Sequence, residues 1–272
     1  MTDFDDRKPV KRIAHNYQQE ISAHIETLFP AGFLDPSPPI PHTDEEATEI
    51  ATRMVKRVAN NNARAWRQAA RKAMRGRRIY EALRMELSGS VGLAMQAQIR
   101  ENAHLISSLP EEFRLRAAQY ASEQFVRGVR SSEVEKYLRA RFPEMVKSRI
   151  ALISRTETGK ADTALTRARS ENLGISFYQW RSSHDQRVRI SHRLMDKVLV
   201  PWNDPPDPEK LAGEKSQGHP YDAGMTFNCR CVALPLVDID EVSWPCSVYG
   251  NGRISRYSRA QFTRLVGIPM AA

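Results

Sequence analysis

Three side chains in the C-terminal half are of the types that hold soft metal ions: His192, Cys229 and Cys231. Thiolate sulfur and imidazole nitrogen suit zinc, and a structural zinc site takes about four such donors. Cys-x-Cys spacing lets both thiols reach one ion if the backbone turns between them, and it is a weaker metal signature than Cys-x-x-Cys. His184, Asp185 and His219 are the candidates for a fourth ligand, and Asp185 and His219 could equally orient His192 from behind. Zinc held this way would tie down the stretch from Pro201 to Met225, which is rich in Pro, Gly and Asp and poor in apolar residues. The alternative is a pair of small reduced cysteines beside a strand, one facing inward and one outward.

Catalysis would need more. A zinc ion held by His192, Asp185 and the two cysteines with an open position, and Glu157 or His219 as general base, would make a zinc-dependent hydrolase or nuclease acting on phosphodiester or other ester bonds. The chain has no HExxH, no Gly-rich phosphate loop and no nucleophile elbow, so enzyme chemistry is the minor reading. Without metal, Asp185, Arg187, Arg189 and Arg230 read as a buried network in which arginine forks bridge carboxylate and carbonyl oxygens. Arg155 and Glu157, two residues apart on one helix, either join that network or form a surface pair. Trp180 reads as core beneath these residues.

A second kind of chemistry is electrostatic. Between Glu49 and Glu81 no acidic residue occurs, while Arg53, Lys56, Arg57, Arg64, Arg67, Arg71, Lys72, Arg75, Arg77 and Arg78 all fall there. Val55, Val58, Ala59, Trp66, Ala69, Ala70 and Ala73 form an apolar seam at helical spacing, which leaves the arginines on the opposite and flanking faces. Like charges on one helix repel, so an anion is their complement, and Arg64, Arg67, Arg71 and Arg75 are the candidate contacts to DNA or an acidic partner. An ordinary solvated face is the other reading. No helix-turn-helix, zinc-finger or ribbon signature accompanies them, so phosphate contact is expected rather than base readout.

The elements that must position these residues follow from periodicity. Residues 1–29 carry an amphipathic helix with Ile13, Tyr17, Ile21, Ile25 and Leu28 on one face, read as a docking helix, and residues 30–42 form a Pro-rich linker. From 43 to 144 the pattern is a helical domain, and helical spacing continues to about Gly174. Thr43 and Glu46 make a capping box, Gly89, Gly92, Pro110, Gly128 and Pro143 act as punctuation, and Pro143 opens a helix; roughly five or six helices are expected. After Gly174 the period shortens, giving strands at Ile175–Trp180, Val198–Val200 and Val232–Val237. The fold class is therefore α+β, a predominantly helical N-terminal part followed by a small α+β domain with few short strands.

The bulk numbers agree. With 272 residues, 41% hydrophobic and 27% charged, the chain can bury a full core. Its mean hydropathy of -0.54 and lack of a long apolar run argue against membrane spans. Met-Thr-Asp-Phe-Asp-Asp lacks the layout of a secretory signal. Three cysteines are too few and too clustered for a disulfide framework. A net charge of +9 and a pI near 9.6 favour an anionic partner.

Four pieces occur in order: Arg155-Thr156-Glu157, the Trp180 strand, Asp185-Gln186-Arg187-Val188-Arg189-Ile190-Ser191-His192, and Asn228-Cys229-Arg230-Cys231. Together they resemble the phage Mu F-like head-morphogenesis family over about residues 145–237, with 238–272 as a C-terminal extension. The resemblance implies a minor capsid protein of a tailed bacteriophage with no established catalytic activity. Such a protein sits in the virion, in the head interior or at the portal vertex, and is in the host cytoplasm during assembly. Its implied partners are the portal protein, the capsid interior and, without sequence preference, packaged DNA during packaging and ejection. Some branches of the family carry Cys-x-x-Cys where this chain has Arg189 and His192, and Leu-Asp-Gly where it has Met195-Asp196-Lys197. A four-thiolate zinc site is thereby excluded.

Overall fold

The computed structural model describes residues 6–29, 44–72, 76–84 and 89–266. The expected linker at 30–42, Thr43 of the capping box, Ala73 and Arg75 lie outside the described residues. Helices α1 (Lys8–Leu28), α2 (Asp44–Lys72), α3 (Gly76–Arg84), α4 (Ser90–Val126) and α5 (Ser131–Asn172) precede the first strand. The chain then runs β1 (Phe177–Arg181), α6 (Ile190–Leu194), β2 (Leu199–Pro201), α7 (Pro208–Leu211), β3 (Val232–Pro235), β4 (Cys246–Gly250), β5 (Arg253–Tyr257) and α8 (Arg259–Leu265). Two compact units emerge: 10–58 with 95–158, and 1–9 with 59–94 and 159–272. The divisions fall inside α1, α2, α4 and α5.

The first unit is helical. Val10, Ile13, Tyr17, Ile21 and Ile25 bury the apolar stripe of α1, so that face serves the unit's own core. Tyr17 donates a 2.8 Å hydrogen bond to Asn102 Oδ1, and the Phe113 and Phe142 rings meet edge to face at 6.0 Å. Arg53 and Arg57 both pair with Glu20.

Residues 44–172 hold four helices among the described residues, rather than five or six. Pro110 and Pro143 lie inside α4 and α5, so Pro143 does not open a helix. A helical proline forfeits one backbone hydrogen bond and crowds the preceding turn. Here Leu109 and Phe113 around Pro110, and Phe142 and Ile150 around Pro143, are buried, and that packing carries each helix through. Gly128 does terminate α4, at a positive φ of 77° that glycine adopts without penalty.

The second unit is built on a five-stranded mixed sheet in the order β3-β1-β2-β4-β5. β1 pairs antiparallel with β2 and β3, β2 runs parallel to β4, and β4–β5 is a hairpin. Residues beyond Val237 thus complete the sheet and are not an appendage to it. Tyr178 and Trp180 alternate with less buried neighbours along β1. They enter a core with Met195, Val198, Val200, Trp202, Tyr221 and the two closely spaced cysteines. Leu199, Val248 and Phe262 form a second cluster that includes Cys246, whose thiol burial pushes up to about 11. Trp66 and Ala70 of α2 meet Ile79 of α3 in a third.

Candidate metal centre

β1 carries Trp180, α6 carries His192, and the turn before β3 carries Cys229 and Cys231. His192 is presented inward because α6 exposes Ile190 and Leu194 and buries Ser191 and His192. The Cys-x-Cys segment folds back through Asn228, at φ 55°, a left-handed conformation that asparagine tolerates better than most residues. Both sulfurs thereby face one imidazole: Cys229 Sγ lies 3.6 Å and Cys231 Sγ 3.4 Å from His192 Nδ1. One ligand atom from each residue lies within 4.8 Å of the others, and all three residues are buried.

The far nitrogen of His192 has its own partners. His192 Nε2 is 3.0 Å from Tyr221 Oη, which lies 2.6 and 2.7 Å from the two carboxylate oxygens of Glu209. Glu209, buried on α7, also accepts from Gln217 Nε2 at 3.1 Å. An ionised carboxylate accepts and never donates, and Tyr221 has one proton to give. That proton goes to Glu209, so the Tyr221 oxygen accepts from Nε2–H, and Nδ1 in the neutral ring presents a lone pair to the sulfurs. Burial and the Glu209 carboxylate hold the Tyr221 phenol far above its ordinary range, so it stays a donor.

The thiols behave as a pair. A hydrogen bond from Cys231 holds the Cys229 thiol well below the usual range, and the same shared proton pushes Cys231 upward. The Trp180 ring stands edge-on to His192 at 5.6 Å. Its buried indole N–H makes no hydrogen bond of ordinary geometry, yet lies near enough to Cys231 to favour the thiolate.

Two surface bridges join the motif pieces around this centre. Arg230 grips Asp185 with two nitrogens, the Nη2–Oδ1 contact being 2.8 Å, and Arg189 Nη2 donates to Phe227 O at 2.9 Å. Of the expected buried network of Asp185, Arg187, Arg189 and Arg230, these two contacts form separately, and the Arg230 and Asp185 side chains are 36% and 42% exposed. Water competes there, so these contacts fix register more than they add stability. Asp185 also accepts from the backbone N–H of Arg187 at 2.8 Å, closing a turn, while the Arg187 side chain is exposed.

The offered fourth ligands are engaged elsewhere. His184 lies 2.9 Å from Asp196 Oδ2 at the surface, Asp185 holds Arg230, and His219 is exposed with its ring 6.2 Å from that of Tyr221. Arg155, exposed, and Glu157, buried, belong to the helical unit and not to the sheet unit. Glu209 and Tyr221 were not anticipated. An isolated glutamate after Pro208 and a tyrosine after Pro220 have no motif spacing to link them, and the one available signal was a buried-type aromatic in an otherwise polar loop.

That loop is also tied to α5. Thr163 Oγ1 donates to Ala223 O at 2.8 Å, and Arg167 Nη1 lies 3.1 Å from Asp222 Oδ2. Gly224, at φ 92°, lets this approach happen: a Cβ there would stand 2.6 Å from Thr163 Oγ1.

Residues 118–234 match the family model described as phage Mu protein F like protein. The match includes all four motif pieces. An uncharacterised protein of Haemophilus influenzae is 33% identical over 143 residues, which is 52% of this chain and 29% of that protein. The aligned part is thus under a third of the relative's length. No solved structure matches the chain.

Proposed function

Taking residues 118–234 as a Mu F-like segment, we propose that the chain acts in head morphogenesis of a tailed bacteriophage as a minor capsid protein of the virion. In this reading it is portal-associated, on the inside of the head. The observation that carries it is the coincidence of the family match with a built structure: the Asp185–His192 and Asn228–Cys231 pieces hold each other through Arg230, Arg189 and His192. Side chains that serve each other are those of a scaffold. All three soft donors are buried, which favours holding a fold over turning over a substrate.

Packaged DNA is the proposed further partner, bound without sequence preference. Arg64, Arg67 and Arg71 are exposed on α2, and no acidic partner for them occurs among the described residues, whereas Arg53 and Arg57 are already taken by Glu20. No described helix is long and apolar enough to cross a membrane. Because the apolar face of α1 is used internally, its docking surface is the polar face that carries Lys11, Arg12, His15 and Gln19, all exposed.

A phage lacking the chain tests the proposal. Infectious titre should fall by orders of magnitude, electron microscopy should show aberrant or empty heads, and the wild-type chain supplied in trans should restore both. Normal heads and titre without the chain would overturn it.

A further inference from the structure

We infer that His192 Nδ1, Cys229 Sγ and Cys231 Sγ bind one zinc ion, with Tyr221 and Glu209 as the relay that positions the imidazole. Three observations converge on this. The donor triangle is compact, with every pair of ligand atoms within 4.8 Å, and buried. The donor count above leaves Nδ1 with a lone pair aimed at two sulfurs, the arrangement a metal needs. A metal-bound histidine characteristically passes its other N–H to a carboxylate, directly or through an intermediary; here the path is His192 Nε2–H to Tyr221 Oη and Tyr221 O–H to Glu209.

The ion class follows from the donors. Two thiolates and an imidazole favour zinc over calcium or magnesium, which take oxygen. Zn²⁺ with two thiolates and a neutral ring is uncharged overall, which suits a buried site. No fourth His, Cys, Asp or Glu joins the three among the described residues, so they supply three of the about four donors that zinc takes. The ion binds α6, the 229–231 turn and, through Tyr221 and Glu209, the loop that otherwise rests on Thr163 and Arg167. Its role is to fix that loop to the sheet.

The test uses the full chain, reduced and freed of metal, titrated with zinc and separately with cobalt(II). The expected result is one zinc per chain, a thiolate-to-cobalt charge-transfer band, and a melting temperature that falls on chelation and returns with zinc. Cys229→Ser and Cys231→Ser should each remove the charge-transfer intensity or the stoichiometry, while Cys246→Ser, which alters a buried thiol of the other cluster, should change neither. Tyr221→Phe, close to isosteric, should keep the stoichiometry at saturation and weaken zinc affinity by about 10–100-fold. A wild-type chain that takes up no zinc and shows no charge-transfer band would overturn the site, whatever the variants do. Full affinity in Tyr221→Phe would overturn the relay. Loss of the metal without loss of head assembly would leave the functional proposal standing, so the two can fail separately.

Discussion

Asp222 shows how a single buried carboxyl can report on the loop that closes the centre. Removal from water raises its pKa from 3.8 to about 6, more than the Arg167 guanidinium beside it lowers it. The folded state therefore holds the Asp222 proton where the unfolded chain has lost it. Between about pH 4 and about pH 6 the folded form binds more protons, so this group's contribution to stability falls as pH rises. The loss is on the order of 1–3 kcal/mol across that window. Chemical denaturation at several pH values should show it as a falling slope in the wild type that is absent in Asp222→Asn; identical slopes would contradict the assignment. At this scale the sequence was informative where residue type and chemistry coincide, as at His192, Cys229 and Cys231. It was silent on Glu209 and Tyr221, because a loop without periodicity does not reveal which of its side chains turn inward. The Asp185–Arg230 pair is readable from charge, but its exposure is not, since that depends on how the turns carrying the two residues lie on the core.

The elements were legible where the apolar period was unbroken. α1 lies within its expected span because five apolar residues recur at helical spacing, and β1 lies where Phe177, Tyr178 and Trp180 mark a half-buried strand. The prolines do not mark helix ends, because the buried side chains around Pro110 and Pro143 override the local preference. Pro143 is exposed within α5, so its cost to the helix is not offset by contacts of its own ring. Pro143→Ala should raise stability by roughly 1–3 kcal/mol, measured as a higher denaturation midpoint. An unchanged or lower midpoint would mean that the helix is kinked there to good purpose. The β4–β5 hairpin was missed although its signal is present. Asn251 and Gly252, both at positive φ, form the two-residue turn that Asn-Gly favours between strands. That turn folds β5 back onto β4, which itself runs parallel beside β2, and so makes this part of the chain integral to the sheet.

For the whole molecule the governing quantities are charge and attachment. With a net charge of +9 and Arg64, Arg67 and Arg71 exposed along α2, binding to duplex DNA should weaken steeply with salt. Each arginine that neutralises a phosphate contributes about 0.9 to the slope of log affinity against log salt. Replacing all three by Gln should flatten that slope without changing any preference among sequences, as read by fluorescence anisotropy over a salt series. An unaltered slope would place the DNA contact elsewhere or remove it. Heads assembled with and without portal, purified on a gradient and probed for this chain, test the proposed place in the phage head most directly. The chain should co-sediment with portal-containing heads, portal-free heads should carry less of it, and Lys11→Glu with Arg12→Glu on the polar face of α1 should reduce the association. A chain found wholly in the soluble fraction, absent from both kinds of head, would contradict it.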